Sequence, residues 1–109
     1  MLKIRDDVDL KELEKYGFKK EHWGYIYYPN NNHSSTRYYS SMKIDVPNDS
    51  KSWRNRTISF SLENMSMWCN SIEELEADME NIKQSYEAFK VKCDELIKAD
   101  LVEKVEERF

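Results

Sequence analysis

Two cysteines, Cys69 and Cys93, and two histidines, His22 and His33, are the residues of this chain best suited to metal or nucleophilic chemistry. A zinc site gathers such ligands at short, characteristic spacings. These four show no ligand spacing, so no metal centre is expected. A nucleophilic Ser or Cys needs a base beside it and a third group to orient that base. The sequence has no Gly-x-Ser-x-Gly turn, and with only two glycines it has no loop to cradle a phosphate. The expectation is a protein that is not an enzyme, with no catalytic residue, no metal and no cofactor.

What the chain offers instead is charge, unevenly spread. From Ser71 to Phe109 there are 12 acids and 6 bases, whereas residues 1–70 carry 9 acids and 11 bases. Glu73, Glu74, Glu76, Asp78 and Glu80 crowd one short stretch. They favour the positive end of a helix dipole, but a cluster of like charges also repels itself. A basic partner surface that normally holds nucleic acid would relieve that repulsion and draw the two molecules together quickly. These five acids are the first candidate binding surface. The second is basic and aromatic: Arg37, Tyr39, Lys51, Trp53, Arg54 and Arg56, where phosphates would meet the cations and bases would stack on the rings. An isoelectric point of about 5.2 argues against the broad basic footprint of a nucleic-acid-binding protein.

The elements that position these groups follow from periodicity. Asp9-Leu10-Lys11-Glu12 is a capping box that opens a two-turn helix, and Gly17 closes it in the left-handed conformation, with Phe18 folding back. Three runs alternate as strands: Trp23–Tyr28, Tyr38–Val46 and Arg56–Leu62. Tyr38, Ser40, Met42, Ile44 and Val46 share one face, and Ile58, Phe60 and Leu62 point inward. Pro29 to Thr36 forms a polar turn, and Met65-Ser66-Met67-Trp68 extends the third strand or makes a fourth. Ser71 and Glu74 form a second capping box. Behind it Ile72, Leu75, Met79, Ile82, Tyr86, Phe89, Cys93 and Leu96 step alternately by three and four, a seam of eight positions. Met42, Ile44, Ile58 and Phe60 need a cover, so this seam is expected to lie on the chain's own sheet. Zipping two chains together is the alternative. Leu101–Val105 reads either as a closing strand paired with Lys3-Ile4-Arg5 or as a frayed last turn.

The fold expected is therefore one α+β domain over residues 1–109: a short N-terminal helix, an antiparallel meander of three to four strands, and one long C-terminal helix packed on the sheet. At 109 residues, with 13% aromatic and 35% charged, it has bulk for one modest core and gains from a partner. No stretch approaches the ~20 apolar residues of a membrane span, and the acidic opening is unlike a signal peptide. A cytoplasmic protein is expected, monomeric or a weak dimer. Its thiols suit a reducing compartment. Their separation along a helix, roughly 35 Å, is far beyond disulfide reach.

Lys3-Ile4-Arg5-Asp6-Asp7-Val8-Asp9-Leu10-Lys11-Glu12-Leu13-Glu14-Lys15-Tyr16-Gly17-Phe18 resembles the opening of small proteins from phages and prophages of low-GC Gram-positive bacteria. Leu96-Ile97-Lys98-Ala99-Asp100-Leu101-Val102-Glu103-Lys104-Val105 resembles their ending, where Gly commonly stands at the position of Asp100. The resemblance covers about a quarter of the chain and carries a scaffold, not an active site. Small, acidic, cofactor-free phage proteins often act by binding one host protein. By analogy of class, the resemblance implies a stoichiometric inhibitor of a host defence protein in the bacterial cytoplasm, an anti-CRISPR or other anti-defence protein, with a CRISPR effector among the partners to expect. A nucleic-acid-binding phage accessory protein and a dimeric structural scaffold are the alternatives.

Overall fold

A computed structural model of the chain describes residues 1–29, 38–64 and 71–106, with the side chains of residues 38, 39, 62–64, 74, 75, 77, 78 and 81 left aside. The turn expected over residues 30–36, Arg37 and the stretch Met65–Trp68 lie outside the described residues. The fold is α+β. Strand β1 (Leu2–Ile4) is followed by a 3-10 helix (Leu10–Tyr16), then β2 (Lys19–Glu21), β3 (Gly24–Tyr27), β4 (Tyr38–Asp45), β5 (Ile58–Asn64), the long helix α1 (Ile72–Lys98) and β6 (Val102–Lys104). Strands β2, β3, β4 and β5 form an antiparallel meander in chain order, and β1 and β6 pair antiparallel as a separate ribbon.

The first helix starts and stops as its residues dictate. The Asp9 carboxylate accepts from the Lys11 amide at 3.0 Å. Gly17 takes the left-handed conformation at φ 91°, and its amide donates to the Glu14 carbonyl. The Phe18 amide donates to the Leu13 carbonyl at 3.2 Å, folding Phe18 onto the last turn. The run is 3-10 rather than α-helical, consistent with a segment too short to propagate without tertiary support. Glu12 turns away from the capping box and pairs with Lys15.

The same cap recurs at the end of α1, with Asp where Gly is easiest. Asp100 adopts φ 60°. Its amide donates to the Ile97 carbonyl, and that of Leu101 to the Leu96 carbonyl. The Asp100 carboxylate accepts from Arg5 Nη1 at 3.2 Å, so the side chain that strains the cap also ties it to the start of the chain. Residues 102–104 then pair with β1 in the register Lys3↔Glu103. The Met1 ammonium and the Val105 carbonyl close the ribbon at 2.8 Å. The closing segment is a strand.

The core gathers where these ends meet the sheet. Ile4, Leu13, Phe18, Tyr25, Met42, Ile44 and Leu96 form one buried cluster. Val8, Tyr27, Ile58, Phe89 and Cys93 pack around it, half-buried. Phe60 meets Phe89 edge to face with centroids 4.8 Å apart. Lys92 reaches inward to join three elements. Its Nζ donates to the Tyr16 carbonyl at 2.9 Å, stands 4.7 Å from the Tyr27 ring centre and pairs with Glu95.

The eight-position seam of α1 is only partly covered. Leu96 is fully buried and Ile82 and Phe89 are half-buried, but Ile72 is 71% exposed, Met79 63% and Tyr86 56%. The helix is rotated about its axis from the orientation the seam implied. The row Ile82–Phe89–Leu96 faces inward, and the arc beside it, holding Ser85 and Lys92, shares the contact. Ser85 is buried to 2%.

Candidate functional site

The outward face of the N-terminal half of α1 holds the first candidate surface. Glu73, Glu76 and Glu80 are all exposed, and none forms an ion pair among the described residues. Their crowding at the start of α1 places them at the positive end of its dipole. The side chains of Glu74 and Asp78 lie outside the described residues. Beside these acids runs the row Ile72, Met79 and Tyr86, spaced seven residues apart and each more than half exposed. Of the three, Tyr86 has a described ring contact, with Phe60 at 4.8 Å.

This apolar row is what sequence reasoning misplaced, because the seam was taken as core along its whole length. Element lengths carried the missing signal. Twenty-seven helical residues span roughly 40 Å. The longest strand, β4, has eight residues and spans roughly 27 Å. A sheet of that size cannot cover the whole helix.

Lys51, Trp53 and Arg54 of the second candidate surface line two clefts. Lys51 and Trp53 line a cleft of about 330 Å³ with Lys3, Asp6 and Glu106, so its charges are mixed. Arg54 belongs to a neighbouring cleft with Trp23 and Asp45. Trp53 is 53% exposed. Tyr39 lies in β4, its backbone paired with Glu63, and its side chain is outside the described residues, as is the whole of Arg37.

Arg56, the last of that set, does structural work. Its Nη1 donates to the carbonyls of Arg5 and Val8, both at 2.8 Å. Its backbone sits at φ 65°, and its amide donates to the Asp45 carbonyl. Only a guanidinium of this reach locks the turn before β5 to the segment after β1. Arg56→Ala is expected to cost about 1.5–3 kcal/mol for the charged hydrogen bonds it removes. Arg56→Lys should restore only part of that, because an ammonium lacks the fork geometry. Thermal melts of the two variants beside the parent check the order.

Cys93 is a free thiol on the half-buried row of α1. Burial first, and the neighbouring Asp94 second, push its pKa up. A thiol held protonated is a poor nucleophile. Cys69 lies outside the described residues. Among the described residues no group of three or more His, Cys, Asp and Glu is placed to hold a metal ion, and no helix is long and apolar enough to cross a membrane.

Comparison with family models, with curated proteins and with solved structures finds no match to this chain.

Proposed function

We propose that this protein is a non-catalytic, protein-binding inhibitor that works through the outward face of α1. The observation that carries the reading is the row Ile72, Met79 and Tyr86, each more than half exposed, set beside Glu73, Glu76 and Glu80. Large exposed apolar side chains in one row mark a protein interface. Acids around them select a basic partner and speed its approach. A partner surface that normally holds nucleic acid has that charge. Together with the resemblance of both chain ends to phage and prophage proteins, this supports a phage-encoded anti-defence inhibitor. It would be anti-CRISPR in kind, and would act stoichiometrically on a host defence protein in the bacterial cytoplasm.

Reversing Glu73, Glu76 and Glu80 to Lys tests it. These side chains are exposed, so the far-UV spectrum should match the parent. Association with a defence effector that co-purifies with the parent should slow at least tenfold at low salt and lose most of its salt dependence. Parental association by this variant, with loss of binding in Trp53→Ala or Arg54→Ala, would move the interface to the other face. That rival reading, nucleic-acid binding, has one observation in its favour, the exposed Trp53 beside Lys51. It requires direct binding to DNA or RNA that weakens steeply with salt.

A further inference from the structure

We infer that the outward row of α1 is a self-association surface, on which a second copy of this chain lays the same row antiparallel. One helix carries two apolar rows with the same seven-residue repeat. The row Ile82, Phe89 and Leu96 lies against the chain's own sheet and core. The row Ile72, Met79 and Tyr86 stays more than half exposed, with the Tyr86 ring touching the sheet at Phe60, and it continues to Cys93, half-buried against the core. A seven-residue repeat held over three intervals is the phase in which two helices stay in register along their length.

The charges beside the row choose the occupant and its direction. From Ile72 to Glu80 the helix holds five acids and no base. From Lys83 to Lys98 it holds Lys83, Lys90, Lys92 and Lys98 against Glu87, Asp94 and Glu95. The residues that flank the row four positions on are Glu76, Lys83 and Lys90, all exposed. A parallel pair would set Glu76 against Glu76. An antiparallel pair with its two-fold axis beside Ile82 and Lys83 sets Glu76 against Lys90 of the second copy, at both ends. It sets Met79 against Tyr86, a sulfur–aromatic contact, and Ile72 against Cys93. The acidic first half of each helix then lies along the more basic second half of the other, and the helix dipoles oppose favourably. Lys83 meets Lys83 of the second copy at the axis, so the complementarity rests on the two Glu76–Lys90 contacts and on the acidic half of each helix lying along the more basic half of the other.

This goes beyond the inhibitor reading and does not rest on it, but the two compete for one row: a host protein that takes Ile72, Met79 and Tyr86 must displace the second copy. Glu73 and Glu80 stand farther round the helix than Glu76 and stay open at the rim of such a pair. Glu73→Lys with Glu80→Lys should therefore leave self-association unchanged even where it slows binding to a host protein.

Sedimentation velocity across a wide concentration range tests the inference on the full chain. The parent should pass from monomer to dimer as concentration rises. Met79→Gln keeps a good helix former at an exposed position, so its melting curve at low concentration should match the parent, while its dimer dissociation constant rises roughly tenfold or more. Glu76→Lys and Lys90→Glu should each weaken the dimer, and the double variant should restore it. Rescue is specific to the antiparallel pair, because a parallel pair would gain nothing from the exchange. A parent that stays monomeric throughout overturns the inference. So does a dimer indifferent to Met79→Gln, which would lie on another surface. A dimer lost in Met79→Gln but not rescued by the charge exchange overturns the antiparallel arrangement.

Discussion

Gly24→Ala is expected to disrupt the sheet. Gly24 sits directly after the His22–Trp23 turn that joins β2 to β3, and pairs with Glu21 on one side and Asp45 on the other. Its φ is +153°, and a Cβ built there would stand 2.1 Å from the Ile44 carbonyl oxygen and 3.1 Å from the Val46 amide nitrogen. Both neighbours are backbone, so no side chain can swing aside. Either β3 or β4 must move, and the bond from the Val46 amide to the Trp23 carbonyl, 2.9 Å, goes with it. Overpacking costs typically 1–3 kcal/mol and a forced backbone conformation a further 1–3. The expected loss is thus about 2–6 kcal/mol, out of the 5–15 typical of a whole domain. A melting point lower by about 15 °C or more, or no soluble folded protein, is the outcome to look for. Gly17→Ala is the matched control. Its φ is also positive, at 91°, but its Cβ would meet only the Tyr27 ring at 3.3 Å, so it should cost about 1–2 kcal/mol. Equal, small losses at both glycines would mean that β3 and β4 do not approach as described.

The parts of this fold that were legible in the sequence are those whose cause is local. Asp9 and Gly17 bracket the first helix because a carboxylate can cap an amide and a glycine can turn left-handed. Ser40, Met42 and Ile44 are buried as the two faces of a strand predict, although Ser41 and Thr57, expected outward, are buried too. Strand β2 escaped notice for the converse reason. Lys19, Lys20 and Glu21 are all exposed, with no buried side to leave a pattern, and β3 pairs with them through the backbone. Arg56 was legible as a positive charge but not as a tie to two carbonyls about fifty positions away in sequence. Nothing in its neighbours announces a long-range partner. Asp100 shows tertiary context overriding propensity: Gly suits that conformation better, yet the cap forms and Arg5 takes up the carboxylate. Of the candidate site, the exposure of Glu73, Glu76 and Glu80 was read directly, because a charge left in water needs only its own residue type. The apolar row beside them was read as core, because a repeat of three and four tells that a helix has a sticky side but not how much of that side its own domain can cover.

That distinction can be measured on two residues of the same seam. Leu96→Ala is expected to cost about 2–5 kcal/mol, since Leu96 is fully buried in the central cluster that also holds Ile4, Leu13 and Met42 and its removal leaves a cavity. Met79→Ala, seventeen positions earlier on the same helix, is expected to change stability by no more than about 0.5 kcal/mol. Met79 is 63% exposed, and Ala is the stronger helix former. Chemical denaturation at a concentration low enough to keep the chain monomeric should show the first variant's midpoint well below the parent's and the second's beside it, with similar slopes. The separation matters for function because it divides the helix into a half that holds the fold and a row left for another molecule. A partner-binding or self-association defect in Met79→Ala at full stability would then report the surface itself, whereas any defect in Leu96→Ala would report unfolding. If Met79→Ala falls as far as Leu96→Ala, the seam is core along its whole length, and no apolar row is left on α1 to receive a partner.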